Sequence, residues 1–340
     1  MREPAFWYGP PSMLSRGLAP FSAIYGAVAT RRMVQGGQRA DVPVLCIGNY
    51  HLGGAGKTPT AMAVAAMLRV MGELPVVVSR GYGGRLSGPV RVDPATHHVS
   101  DVGDEPLMMS HKLPVIVARD RVAGAAMACA QGASVILLDD GFQNPTLAKD
   151  ASLIVIDSER GIGNGEVFPA GPLRAKFSQQ LERTSALIVI GNGAAAAAVE
   201  TAVTKHGRPV FRASLKPDRI TVDALRGKRI FAFAGIGDPQ RFFSTLRQSG
   251  LEVMKERGFP DHHVFSDAEL TRTAADAASQ ALTLVTTEKD MMRIRGQRLL
   301  KSGAIHVTAF EVALEFEEND ALKAFLSARL VEARAVRQVR

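Results

Sequence analysis

The chain has only two cysteines and one tryptophan among 340 residues, and aromatic residues make up just 6% of it. Two cysteines exclude a disulfide framework and a thiolate metal cluster. Cys46 and Cys129 lie in the apolar stretches 42–47 and 122–130 and read as small buried hydrophobes of a reducing compartment. No Lys/Arg-rich run interleaved with aromatics occurs, so the signature of a nucleic-acid binder is missing. A membrane-spanning run of about 20 apolar residues is also missing. The uncharged stretch 17–30 is too short to span, and Glu3, Trp7 and several prolines before it, with Arg31-Arg32 after it, do not make a secretory signal. What is present is basic charge: 41 Lys and Arg against 33 Asp and Glu leave +8. That balance favours an anionic partner, such as nucleotide phosphate, a phosphorylated substrate or an anionic membrane surface. Leu14, Leu18, Phe21, Ile24, Tyr25 and Val28 recur at three- and four-residue spacing between Arg16 and Arg31-Arg32. Such a stripe suits a helix lying in a membrane interface, and equally a helix packed on its own domain.

A hydrophobic content of 46% over this length supports a sizeable core and about two domains. From residue 42, short β-branched runs at 44–48, 74–79, 115–118, 134–139, 153–157 and 186–190 alternate with helical stretches, the pattern of a parallel sheet with crossover helices. A second α/β passage starts near Lys228, with strands at 229–234, 251–255 and 282–286 and helices from Pro239 and Ser266. The alanine run 194–198 reads as the start of a plain helix. The expected fold is therefore α/β: a P-loop NTPase-like, doubly wound, mostly parallel sheet over residues 1–207 and a smaller α/β lobe over 208–317. Segments 209–214 and 305–310 are expected to pair as a two-stranded connecting ribbon, and 318–340 to form a C-terminal helix.

The sharpest chemical signal is Gly53-Gly54-Ala55-Gly56-Lys57-Thr58, between a strand and the helical stretch 60–71. Successive backbone N–H groups of such a turn face phosphate oxygens, Lys57 reaches the outer phosphates, and the Thr58 hydroxyl suits Mg²⁺. The usual spacing puts a glycine where this chain has His51, so the loop is a variant. Pro59 falls in the first helical turn, where a missing N–H does little harm. The apolar strand ending Leu138-Asp139-Asp140 delivers two carboxylates where P-loop enzymes hold Mg²⁺ between phosphates; a carboxylate capping Gly141 is the plainer alternative. Arg80, Arg119, Arg121 and Arg174 each follow an expected strand, so their loops should ring one crevice, and arginine's planar fork suits phosphate. Asp104, in Gly103-Asp104-Glu105-Pro106, either accepts a hydroxyl proton as a kinase base does or caps a helix.

Taken in order, these motifs resemble those of the tetraacyldisaccharide 4′-kinases of lipid A biosynthesis. The resemblance runs from Gly48-Asn49 and Gly53 to Pro59 through Ser79-Arg80-Gly81-Tyr82-Gly83-Gly84, Gly103-Asp104-Glu105-Pro106 and Asp139-Asp140-Gly141-Phe142-Gln143. It continues through Pro169-Ala170-Gly171-Pro172-Leu173-Arg174, Phe259-Pro260-Asp261-His262 and Thr287-Glu288-Lys289-Asp290, nearly the whole chain. It implies Mg²⁺-dependent transfer of the γ-phosphate of ATP to the 4′-hydroxyl of an acylated glucosamine disaccharide 1-phosphate, giving lipid IVA. It further implies peripheral attachment at the cytoplasmic face of the bacterial inner membrane through a helix at about 11–30, with neither nucleic acid nor an obligate protein partner. By the same resemblance Asp104 is the general base, His262 its partner from the second lobe, and Gln143 joins the arginines at the substrate. One departure stands out: the family commonly has glutamate after the arginine of Pro-Leu-Arg, and this chain has Ala175.

Two nucleotide switches compete with that reading. Partitioning-type ATPases usually carry a lysine just before the paired glycines, where this chain has Leu52, and the GTPase base-reading motif sets lysine two residues before aspartate, whereas Lys289 directly precedes Asp290. A membrane-bound scaffold that has lost catalysis would have only Ala175 in its favour.

Overall fold

The computed structural model describes residues 3–10 and 12–338; Pro11, inside the expected N-terminal helix, and the last two residues lie outside that range. Thirteen strands are described: β1 (Val44–Gly48), β2 (Pro75–Ser79), β3 (Val90–Arg91), β4 (Val115–Val117), β5 (Val135–Asp139), β6 (Ala151–Asp157), β7 (Ala186–Ile190), β8 (Val210–Pro217), β9 (Arg229–Ala234), β10 (Glu252–Gly258), β11 (Thr283–Thr287), β12 (Val307–Phe310) and β13 (Val312–Phe316). They form a nine-stranded sheet in the order β13-β8-β7-β6-β1-β5-β2-β4-β3 and a four-stranded parallel sheet in the order β10-β9-β11-β12. Only the outermost pairs of the large sheet, β13 with β8 and β3 with β4, are antiparallel.

The central strands are buried at every position and mostly apolar because helices cover both faces, with Ser79, Asp139 and Asp157 at strand ends and Ser152 within β6 as the polar exceptions. Along β1 the side chains alternate: Leu45 and Ile47 enter one core with Leu137 and Val155, while Val44 and Cys46 enter the other with Ile136, Leu138 and Ile154. Both cysteines are free thiols, Cys46 buried and Cys129 half-buried.

The connection between the lobes differs from the expected ribbon. Residues 305–310 do not pair with 209–214; β12 lies beside β11 in the small sheet, and the antiparallel partner of β8 is β13, with Leu314 opposite Leu215. Only Glu311 separates β12 from β13, so the chain leaves one sheet and enters the other within a residue. The C-terminal helix, Asn319–Gln338, then returns to the first lobe. Leu322, Leu326 and Leu330 join the core containing Leu45 and Leu137. Arg337 bridges to Asp150 at 2.7 Å and donates to the carbonyls of Ala40 and Val42, both at 2.9 Å.

The N-terminal helix, Met13–Met33, starts at a capping box of Ser12 and Ser15. Its buried face is made of Ser15, Ser22 and Gly26, with Met33 at its end: Ser22 Oγ accepts the Ala170 N–H at 2.9 Å, and Gly26 packs on Val167. Leu14, Phe21, Ile24, Tyr25 and Val28 point outward and are exposed. The apolar stripe is therefore not core. No helix among the described residues is long and apolar enough to cross a membrane.

Leu326 is completely buried. Leu326→Ala is expected to destabilise the protein by about 2–5 kcal/mol, the cost of a large-to-small change in a packed core. Urea unfolding followed by circular dichroism checks this; a change under about 0.5 kcal/mol would mean that the C-terminal helix is not part of the first lobe's core.

Candidate active site

The glycine-rich turn leaves β1 and enters the helix Lys57–Val70. Gly53 (φ 96°) and Gly56 (φ 86°) take left-handed conformations that favour glycine. His51 is not among the positive-φ residues and instead bridges to Leu173, so the position that usually carries glycine needs none here. His51 is buried, Nδ1 donates to the Leu52 carbonyl at 2.7 Å, and burial first, then the charge of Lys57, lowers its pKa to about 4. Thr58 is buried at the helix start.

Asp139 and Asp140 arrive beside this turn because β5 pairs in parallel with β1, Ile47 lying opposite Asp139. Asp140 has φ 50°, a strained conformation for a residue with a side chain. Its carboxylate lies 3.7 Å from Lys57 Nζ and receives both Nη atoms of Arg174, at 3.0 and 3.2 Å. Burial raises the Asp140 pKa, but the charges of Lys57 and Arg174 outweigh it and leave the group below the usual carboxylate range. Asp139 behaves oppositely. Burial, then the negative charges of Glu105 and Asp140, hold it well above that range. Ser79 Oγ donates to Asp139 Oδ2 at 3.0 Å, while Oδ1 is buried with no hydrogen-bond donor.

The second lobe completes a separate cluster around Asp104. The helix Asp104–Ser110 begins at this residue, with Gly103 rather than Asp104 as its N-cap. Asp104 is buried; Oδ1 accepts the Glu105 N–H at 3.0 Å, and Oδ2 lies 3.3 Å from His262 Nδ1 and also receives Arg293. Burial raises the Asp104 pKa, but the His262 hydrogen bond and the charges of Arg293 and Lys289 push it far below the ordinary carboxylate range. The same hydrogen bond raises the pKa of His262 against the effect of burial. His262 has φ 56°. Lys289 Nζ sits 2.6 Å from Glu105 Oε1, and the charges of Lys289 and then Lys57 lower the pKa of Glu105, the residue that follows Asp104.

Other expected site residues take different positions. Gln143 Nε2 donates to the Asn49 carbonyl at 2.8 Å, and its Oε1 lies 3.4 Å from Arg174 Nη1, so both side chains brace the acidic loop. Arg121 is buried, with its guanidinium on the carbonyls of Ala118 (2.5 Å) and Asp139 (3.5 Å). Arg80 and Arg119 are exposed, and Arg119 reaches the Gly84 carbonyl at 3.4 Å. Ala175 is buried, and its carbonyl accepts the side chain of Gln180. His263 pairs with Glu269 and stacks on Phe259, away from Asp104. Ser79 stands in a quoted motif without a role, and Arg293 is the group that motif reading passes over. The spacing of Asp290 and Arg293, three residues apart on one helix, is the only trace of the latter in the sequence.

The family model for tetraacyldisaccharide-1-P 4′-kinase matches residues 14–331. A tetraacyldisaccharide 4′-kinase of a Bradyrhizobium species is 59% identical over 98% of this chain and 97% of its own length. One from Rhodopseudomonas palustris is 58% identical over 99% and 98%. Among solved structures, LpxK of Aquifex aeolicus, crystallised with ATP, superposes with a TM-score of 0.73 at 24% identity, covering 94% of this chain and 100% of that one, a likeness of fold.

Gly56→Ala is expected to cost about 1–2 kcal/mol for forcing a side chain into the left-handed region and to weaken nucleotide binding. Urea denaturation and nucleotide titration check both; full stability and affinity would show that the turn does not need this backbone shape.

Proposed function

We infer from this geometry how the chain, which belongs to the tetraacyldisaccharide-1-P 4′-kinase family, transfers the γ-phosphate of ATP to the 4′-hydroxyl of tetraacyldisaccharide 1-phosphate in lipid A biosynthesis. The observation that carries the assignment of roles is the meeting of Asp104 and His262 across the lobes at 3.3 Å. The N–H groups of Gly53 to Thr58 cradle the phosphates, and Lys57 neutralises charge on the outer ones. Thr58, Asp139 and Asp140 would hold Mg²⁺, and the buried Asp139 Oδ1 without a donor fits a cation. When bound, the ion draws charge from the phosphate oxygens.

Asp104 is kept ionised and accepts the proton of the acceptor hydroxyl as the oxygen attacks phosphorus, with His262 orienting it. Arg80 and Arg119, exposed on loops at the strand ends, are placed to meet the acceptor's phosphate. Arg174, Gln143 and Arg121 contribute by holding the acidic loop in place. The outward stripe of the N-terminal helix, with Arg16, Arg31 and Arg32, lies in the bilayer interface at the cytoplasmic face of the inner membrane and brings the site to its lipid.

Incubation with γ-labelled ATP, Mg²⁺ and tetraacyldisaccharide 1-phosphate in detergent should label the lipid, and Lys57→Ala should abolish labelling. Asp104→Ala is expected to lower kcat by about 10²- to 10⁴-fold, the worth of a general base, with ATP binding retained. Near-normal turnover would remove Asp104 from that role. Replacing the exposed Phe21, Ile24 and Val28 together by serine should reduce sedimentation with anionic vesicles by at least about tenfold and leave ATP binding intact; unchanged sedimentation would rule out this face as the membrane contact.

A further inference from the structure

His262 is not the only group that the second lobe sends to Asp104. Arg293, on the helix Glu288–Ile294, has a side chain only 6% exposed, and its Nη2 bonds Asp104 Oδ2 while lying 3.1 Å from His262 Nδ1. Its Nη1 donates to Asp290 Oδ1 and to the Gly235 carbonyl, both at 2.7 Å. Asp290 is itself fully buried, and its Oδ2 accepts the Gly235 N–H and the Thr287 hydroxyl, each at 2.8 Å. The guanidinium is thus fixed by its own lobe before it reaches across to the other. Lys289 and Glu105 form a second cross-lobe pair beside it.

We propose that Arg293 is a positioning residue for the phosphoryl transfer: it fixes the orientation and the negative charge of Asp104 when the lobes are docked, so that docking itself assembles the base. The proposal rests on the assignment of Asp104 as base. A carboxylate this buried would hold a proton if unpaired, and a protonated Asp104 could not take one from the acceptor. The charged groups facing it are Arg293, His262 and Lys289, against Glu105, Asp290 and Asp261. All three cations belong to the second lobe. Arginine suits the position because its planar fork can serve Asp104 and Asp290 at once, which the single ammonium of lysine cannot do.

The test compares wild type, Arg293→Ala, Arg293→Lys and Asp104→Asn by steady-state kinetics from pH 9 down to the lowest pH at which each stays folded, with thermal unfolding to verify folding. Arg293→Ala should lower kcat about 10- to 100-fold, part of the worth of a general base, with KM for ATP unchanged. Arg293 depresses the Asp104 pKa, so its removal should raise it, and the acidic limb of kcat should move to higher pH. Added guanidinium chloride at low millimolar concentration should restore part of the rate. Arg293→Lys should keep the wild-type acidic limb and lose only several-fold in kcat. Wild-type kcat in Arg293→Ala, or a loss with an unmoved limb and no recovery from guanidinium or lysine, would overturn the proposal. If Arg293→Ala does not fold, Arg293→Lys decides: reduced kcat at unchanged KM for ATP supports it, and unchanged kcat overturns it. Should Asp104→Asn retain activity, the base assignment fails. If Asp104→Asn is inactive while Arg293→Ala is normal, only the role of Arg293 fails.

Discussion

The parallel pairing of β1 with β5 is the contact on which the site depends. With Ile47 opposite Asp139, the glycine-rich turn and the acidic pair leave the sheet at the same end, side by side. The pairing has an electrostatic consequence. At the end of β5, Asp139 and Asp140 meet Glu105 of the helix Asp104–Ser110, and the three carboxylates repel one another in a poorly solvated place. Lys57 and Arg174 offset this at Asp140, whereas Asp139 Oδ1 is buried with no hydrogen-bond donor among the described residues.

The second lobe supplies what the first lacks. Its cations dock on the carboxylates of the helix that opens at Asp104, through Arg293, Lys289 and His262. Buried pairs of this kind contribute little net stability, because desolvating the charges nearly cancels their attraction. They do impose one geometry, since a slightly displaced lobe would leave charges buried and unpaired. Asp140 and His262 both take left-handed backbone, which sets the direction from which their side chains reach Lys57 and Asp104. Antiparallel pairing of β8 with β13 and the return of the C-terminal helix anchor both ends of the second lobe on the first.

Much of this is written locally. Strands covered on both faces must be apolar throughout, so β1, β5 and β7 stand out as unbroken runs, and glycines at Gly53 and Gly56 announce a turn that side chains would obstruct. The ordered motifs likewise single out Lys57, Thr58, Asp104, Asp139, Asp140 and His262, and the fold joins Lys57 to Asp140 and Asp104 to His262. Pairing partners are not local. Residues 305–310 and 312–316 are both extended and one residue apart, and nothing in either tells which of them runs beside β8. The stripe from Leu14 to Val28 shows helical spacing whichever way it faces. Only the fit of Ser22 and Gly26 against Ala170 and Val167 turns it outward.

Arg293 marks the limit most clearly. Its spacing from Asp290 is visible on the helix, yet its partner Asp104 lies 189 residues away in the other lobe. By itself the sequence determined most of the strands, the glycine-rich turn and the types of side chain that follow the strands, because period, backbone conformation and side-chain type act over a few residues. The tertiary structure alone decided which charges meet, that Arg121 and Arg174 brace the acidic loop, and that the apolar stripe faces out. Those outcomes depend on burial and distance between segments far apart in the chain, where a charge counts for little in water and for much once it is enclosed.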